Sequence, residues 1–201
     1  QRLDQTPLDR RSALARSIAS RLLSAVDRWP DHEQAPAALE LAARLLDQPA
    51  GLPTSAALVY QRIVDQVQPA DRDRCAIVSE AHFQLARHAE RVFDYERAFG
   101  SYATIVDSPR FAASDDPTMG QRRRDAVHNL AVLASRLGRH RDAALAWTAA
   151  AEVLPPSEAR DARLRAAEAM LDGGDAVAAA RALDEWLASG APSVRAWAAR
   201  A

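Results

Sequence analysis

Proline recurs through this chain at a near-constant interval, at Pro30, Pro69, Pro109, Pro155 and Pro192. The gaps between these prolines are 39, 40, 46 and 37 residues, and each proline follows an apolar stretch with helical spacing. Proline cannot continue a helix, and it disfavours helical geometry at the residue before it. The chain is therefore predicted to repeat a pair of helices about every 40 residues, with a stop after each pair.

The composition favours helices over sheets. Alanine occurs 46 times, all 26 basic residues are arginine, glycine occurs 7 times, and aromatic residues make up 5% of the chain. Alanine, leucine and arginine are strong helix formers, whereas a sheet protein of this length needs more β-branched and aromatic residues. The net charge of −1 creates no field that would attract nucleic acid or an anionic membrane. The lysine-free composition is typical of a GC-rich genome.

The clearest helix pair ends at Pro155. Its first helix carries apolar residues three and four positions apart and stops at Gly138, a residue type that commonly ends helices. Ala131 in the first helix and Ala143 in the second are small enough to let the two helices approach closely. Trp147 is expected to fill the space beside these alanines.

This unit resembles a tetratricopeptide repeat (TPR). The family pattern has a leucine–small pair and often a preceding asparagine, here Asn129, in the first helix. A glycine follows, and the second helix has an alanine, an aromatic residue and an alanine before a closing proline. At that spacing the sequence supplies Leu130, Ala131, Gly138, Ala143, Trp147, Ala150 and Pro155. The resemblance implies an all-α fold, a right-handed superhelical solenoid of antiparallel helix pairs whose first helices line the concave face.

The resemblance extends over most of the chain, as a single TPR-like solenoid over residues 1–201 that is cut at both ends. Helix pairs are expected at about 32–68, 72–108, 121–154 and 157–189, after a long helix over Leu8–Trp29 and before a truncated helix after Pro192. In the second pair Phe93 stands where the family has glycine, so the pattern does not fix the conformation of that turn.

Two irregularities stand out against the repeat. The segment Arg110–Gly120 exceeds the usual repeat length by about eleven residues and is predicted to be a long loop. The segment Pro69–Arg74 opens a helix whose apolar pattern continues to about Val92, which predicts an unusually long first helix.

The sequence lacks the common catalytic and cofactor-binding motifs. No glycine-rich phosphate loop, paired-cysteine motif, HExxH or nucleophile elbow occurs, so we expect no enzyme, no cofactor and no metal site. Cys75 is interpreted as a small filler residue, and the pair Asp115–Asp116 as a turn and helix cap. The run Arg122–Arg124 is interpreted as a solvated helix start. The tryptophans are expected in the repeat core; they are Trp29, Trp147, Trp186 and Trp197.

The sequence was compared with three classes of function that a chain of this kind can have. The first is a non-catalytic interaction scaffold in a bacterial cell-envelope complex, because the segment Arg28–Leu39 resembles linkers of periplasmic TPR proteins, and two repeats resemble TPR lipoproteins of myxobacterial gliding-motility complexes. The second is a cytoplasmic regulatory TPR arm fused to a catalytic domain outside these residues. The third, an enzyme within these residues, has no supporting constellation. With no lysine and one asparagine, the chain lacks the residues of the TPR clamp for acidic peptide tails.

The expected ligand is a peptide or helix of another protein in the concave groove, with no nucleic acid and no membrane span in these residues. Phe83 is the strongest candidate contact because packing does not require a large apolar side chain there; it could equally fill an interface between repeats. The long loop or the outer helices are the alternative surfaces. The candidate residues are the positions of the first helices that are expected to face solvent, namely Phe83, Arg87, Glu90, His128, Val132, Ser135, Leu164 and Glu168.

Overall fold

A computed structural model describes residues 8–112 and 116–188 of the chain. This described part is all-helical, without a strand, and its ten helices pack against neighbours in sequence. They are α1 (Leu8–Arg28), α2 (Ala35–Asp47), α3 (Pro53–Gln66), α4 (Arg72–Arg91), α5 (Tyr95–Asp107), α6 (Pro109–Ala112), α7 (Pro117–Arg136), α8 (His140–Val153), α9 (Pro156–Asp172) and α10 (Ala176–Ala188). None of the helices described is both long enough and apolar enough to cross a membrane.

Local sequence signals account for where several helices begin. The side chain of Asp71 accepts a hydrogen bond from the Arg74 backbone N–H at 2.8 Å, and Asp116 accepts one from Thr118 N–H at 2.8 Å. Each carboxylate thereby satisfies a backbone donor that has no partner within the helix. Proline occupies the first turn of α3 at Pro53, where its missing N–H costs no hydrogen bond.

The chain divides into two compact units. Among the described residues, the first comprises 8–94 and 108–112, and the second comprises 95–107 and 116–188. In the first unit α2 packs against both α1 and α3, and α4 packs against α3 and the short α6. Its core is built from small and medium apolar residues, among which Ala42 and Ile63 are fully buried. The 20-residue α4 confirms the expected long helix.

In the second unit each helix packs against the next in the order α5, α7, α8, α9 and α10. Ala131 and Ala143 are both fully buried, as expected for small residues where α7 and α8 approach closely. Trp147 is 3% exposed and Trp186 is 4% exposed, so both tryptophans lie in the core.

Three helices end in the same turn conformation. Phe93, Gly138 and Gly174 have φ angles of 62°, 66° and 84°, and so lie in the left-handed region. In each turn the residue that follows donates its backbone N–H to the carbonyl five positions earlier at 2.9 Å, for example Arg139 to Ala134. This hydrogen bond is the signature of the Schellman helix end. Phe93 thus adopts the conformation for which the family pattern provides a glycine.

The expected long loop over Arg110–Gly120 is wrong. Residues 109–112 form α6, and α7 already begins at Pro117 rather than near residue 121. The physical reason is that Asp116 caps α7 and Pro117 suits its first turn, while Phe111 in α6 and Met119 in α7 are 5% and 3% exposed. Asp116 is the helix cap that was predicted; Asp115 lies outside the described residues.

The core position expected for Trp29 is also wrong. Its side chain is 57% exposed just beyond the end of α1, because the described helices of the first unit leave more than half of it uncovered. Cys75 is half-buried, and its Sγ donates to the Pro69 carbonyl at 3.6 Å, in agreement with a small filler residue. Trp197, the helix after Pro192 and the end of the last predicted pair lie outside the described residues.

Candidate functional site

A cavity of about 290 Å³ opens in the second unit where α7, α8 and α9 meet. Its apolar part comes from Val132, Ala143, Trp147 and Ala169, so that a side chain of each of the three helices contributes. The remaining wall is polar and charged, and is formed by Ser135, Arg136, His140, Arg165, Glu168 and Asp172.

Three of the predicted contact residues line this cavity. Val132 and Ser135 lie three positions apart on α7, and Glu168 reaches the same space from α9. Residues three or four apart share one helix face, so the spacing on α7 already placed the first two together. The meeting with Glu168 depends on how α9 packs beside α8.

Trp147 forms the floor of the cavity, where several contacts fix its orientation. Its Nε1–H donates to Ser135 Oγ at 3.0 Å, and the Ser135 hydroxyl donates to the Ala131 carbonyl at 3.0 Å. The ring of His128 meets the indole edge-on, with ring centroids 5.4 Å apart and an angle of 87° between the planes. His128 is therefore half-buried against the tryptophan, not directed at solvent as the sequence had suggested.

Charges of both signs surround the cavity. The guanidinium of Arg165 lies over the Trp147 ring, 4.8 Å from its centroid, and that of Arg136 lies 5.7 Å from the centroid of Tyr95. Such cation–π contacts hold arginine heads in place while their N–H groups remain able to donate. Glu168 and Asp172 supply carboxylates on the same wall. This combination suits a ligand with polar groups of both signs beside an apolar side chain.

The turn that precedes α8 is braced against α5. Arg139 forms an ion pair with Glu96, and its guanidinium lies over the ring of Phe99 at 4.5 Å from the centroid. Asn129 Nδ2–H donates to the Tyr102 hydroxyl at 3.1 Å, which adds a second link from α7 to α5. These contacts fix the α7–α8 turn, from which His140 reaches the cavity wall.

The other predicted residues fall in two places. Phe83, Arg87 and Glu90 lie on one face of α4 in the first unit, with Phe83 half-buried and Arg87 exposed. The expected exposure of Leu164 is wrong, because this side chain is 5% exposed and belongs to a buried cluster with Ala167, Leu183 and Trp186. The face of α9 that carries Leu164 is covered by α10.

Sequence reasoning missed Arg165 and Asp172, together with Arg136 and His140. On α9 the signal was present, because residues 165, 168, 169 and 172 repeat at helical spacing and share the face of Glu168. Among the residues that the structure describes, no group of three His, Cys, Asp or Glu side chains could hold a metal ion.

Two titratable groups of the first unit, Tyr60 and His82, have shifted pKa values. Burial raises the pKa of the Tyr60 hydroxyl, and the nearby carboxylates of Glu80, Asp47 and Glu40 raise it further. Burial lowers the pKa of the His82 imidazole, whose ring lies 6.4 Å from that of Phe111. Desolvation of the charged form explains both directions.

Comparison of the chain with models of known protein families, with curated proteins and with solved structures found no match. The resemblance to TPR proteins therefore rests on the sequence pattern alone.

Proposed function

We propose that this chain is a non-catalytic protein–protein interaction scaffold, built from TPR-like helix pairs stacked as a right-handed solenoid, within a multiprotein complex of a bacterial cell envelope. The observation that carries the proposal is the cavity between α7, α8 and α9, where Val132, Ser135 and Glu168 meet. All three belong to the face that a repeat of this kind offers to a ligand.

The helix ends support the TPR-like arrangement. Left-handed residues at Phe93, Gly138 and Gly174 end α4, α7 and α9, which are the first helices of three predicted pairs. The buried alanines Ala131 and Ala143 lie where the repeat pattern requires small residues. Repeats of this kind present an extended surface on which a partner segment can lie.

The chemistry of the cavity indicates the kind of ligand. An apolar side chain of a partner would contact Val132 and Trp147, while Arg165 and Glu168 would hydrogen-bond to the partner's backbone or charged groups. Interfaces of moderate affinity combine such an apolar centre with a polar rim. The partner segment is therefore a peptide or a helix of another protein, and nucleic acid is disfavoured by the charge balance.

A site-specific photocrosslinker tests the proposed surface. Incorporated in place of Val132 in the source cells, it should yield discrete adducts with other polypeptides. The same crosslinker in place of Leu145, which is 64% exposed on α8 and does not line the cavity, provides the matched control. Adducts of equal intensity at both positions, or none at Val132, would contradict the proposed site.

The envelope location requires its own test. Fractionation of the source cells, followed by immunodetection with an antibody raised against this chain, should find it with periplasmic or membrane-associated proteins. Recovery with the cytoplasmic proteins would favour the regulatory arm instead, in which the same cavity serves an attached catalytic domain.

A further inference from the structure

A second apolar groove lies in the first unit, where α1 ends and α2 begins. Its volume is about 220 Å³, and its walls are formed by Ala25 and Val26 of α1, Trp29 and His32 of the connection, and Ala35 and Ala38 of α2. We name this space the Trp29 groove. It has room for one branched aliphatic side chain and belongs to no site described above.

Trp29 makes this groove unusual. Its side chain is 57% exposed, whereas the described tryptophans of the second unit are almost fully buried. The guanidinium of Arg28 lies 5.3 Å from the ring centroid, which fixes the indole beside the groove without covering it. Exposed tryptophans that border an apolar pocket are over-represented among the residues that dominate binding energy at protein interfaces.

The charges around the groove specify its partner. Asp31 and Glu33 are exposed in the same connection, while Asp27 is paired with Arg62 at 2.7 Å. His32 Nδ1 accepts a hydrogen bond from the Gln34 N–H at 3.1 Å, which holds the imidazole at the wall of the groove. Asp31 and Glu33 each adjoin a groove-lining residue in the sequence, and together they carry more charge than Arg28. Exposed carboxylates beside an apolar groove complement a basic segment that carries an apolar side chain.

We infer that the Trp29 groove is a docking site for a basic, leucine-bearing segment of a partner protein, separate from the cavity proposed above. The leucine-sized side chain enters the groove beside Trp29, and its arginine or lysine neighbours pair with Asp31 and Glu33. Because this inference rests on the first unit alone, it holds or fails independently of the cavity in the second unit.

A peptide titration tests the inference on the full chain. The probe is a blocked octapeptide, Arg-Arg-Ala-Leu-Leu-Ala-Arg-Arg, observed through the indole N–H signals in a ¹H–¹⁵N NMR spectrum. The Trp29 signal is assigned by its loss in Trp29→Phe. We expect the peptide to shift this signal, and the double variant Asp31→Asn with Glu33→Gln to bind about three- to tenfold more weakly.

Matched peptides and variants separate specific docking from other causes. A peptide with glutamates in place of the arginines, and one with alanines in place of the leucines, should each bind more weakly than the probe. Ala38→Leu should abolish the shift by filling the groove, while Leu58→Ala, at a 70% exposed position outside the groove, should leave it unchanged. Circular dichroism establishes that each variant keeps its helices.

Several results would overturn the inference. These are equal binding of the acidic and basic peptides, a shift that persists in Ala38→Leu, or no shift of the Trp29 signal. A sedimentation mass twice that of one chain, reduced to one chain by Trp29→Ala, would assign the groove to a second copy of this protein instead.

Discussion

Phe93 and Gly138 have nearly the same left-handed backbone conformation, with φ angles of 62° and 66°. This conformation disfavours a bulky side chain such as that of phenylalanine, whereas glycine adopts it readily. Both end a helix with the same pair of hydrogen bonds. The pairing allows the energetic cost of a side chain in this turn to be measured twice within one protein.

We expect Phe93→Gly to stabilise the chain by about 1 kcal/mol, because glycine removes the left-handed penalty and Phe93 is 77% exposed. Gly138→Ala should destabilise it by about the same amount, since its Cβ would meet no atom and only the backbone penalty remains. Urea unfolding of both variants measures the difference. A loss of stability in Phe93→Gly would show that contacts of the phenylalanine ring outweigh the backbone strain.

Overpacking at the α7–α8 contact should be costly. Ala143 is fully buried, so Ala143→Leu is expected to lower the free energy of unfolding by about 1–3 kcal/mol. The same substitution at the exposed Ala180 in α10 is the control and should change it by less than about 0.5 kcal/mol. An unchanged melting temperature of Ala143→Leu would contradict the close contact.

The contribution of the α4 face to binding can be measured in a capture experiment. Phe83→Ala and Arg87→Glu should each reduce recovery of partner polypeptides, because they remove an apolar and a charged contact from the face of α4 that is predicted to bind a ligand. Helicity should be unchanged, and Leu58→Ala serves as the surface control. Wild-type recovery with both variants would exclude this face and favour the outer helices.

Stability should fall in mildly acidic solution because of His82. Burial lowers the pKa of this histidine below its usual value of 6.5, so the unfolded chain takes up the proton before the folded chain does. The stabilising contribution is therefore complete above about pH 6.5 and is lost as the pH falls toward the lower folded-state pKa. Unfolding free energies at about pH 7.5 and about pH 5.5 should differ less in His82→Gln than in the wild type.

The exposed His32 provides the comparison for that experiment. His32→Gln changes an exposed histidine and shows how much of the acid sensitivity is specific to the buried one. An equal dependence in His82→Gln and the wild type would assign the acid sensitivity to other groups.

The all-helical fold and the long α4 could be predicted because proline positions and apolar periodicity are local signals, whereas the short α6 was not expected. The start of α7 could not be predicted, since Asp116 and Pro117 occur equally in turns and at helix starts. Trp29 follows the end of α1 and Trp147 lies within α8, and only the packing of other helices decides which of them is buried. For the same reason the burial of Leu164 could not be predicted. The charged wall of the cavity forms only where α7, α8 and α9 pack together.

The hydrogen-bonded series from Trp147 through Ser135 to Ala131 also restricts how the second unit can deform. A slide of α8 along α7 by a single residue, about 1.5 Å with a rotation of about 100°, would separate the indole N–H from the Ser135 hydroxyl. This hydrogen bond therefore fixes the register of α8 against α7. The two helices should move as one rigid body when a ligand binds. Any induced fit must then come from α9, whose Arg165 side chain can swing away from the indole without breaking a hydrogen bond in that series.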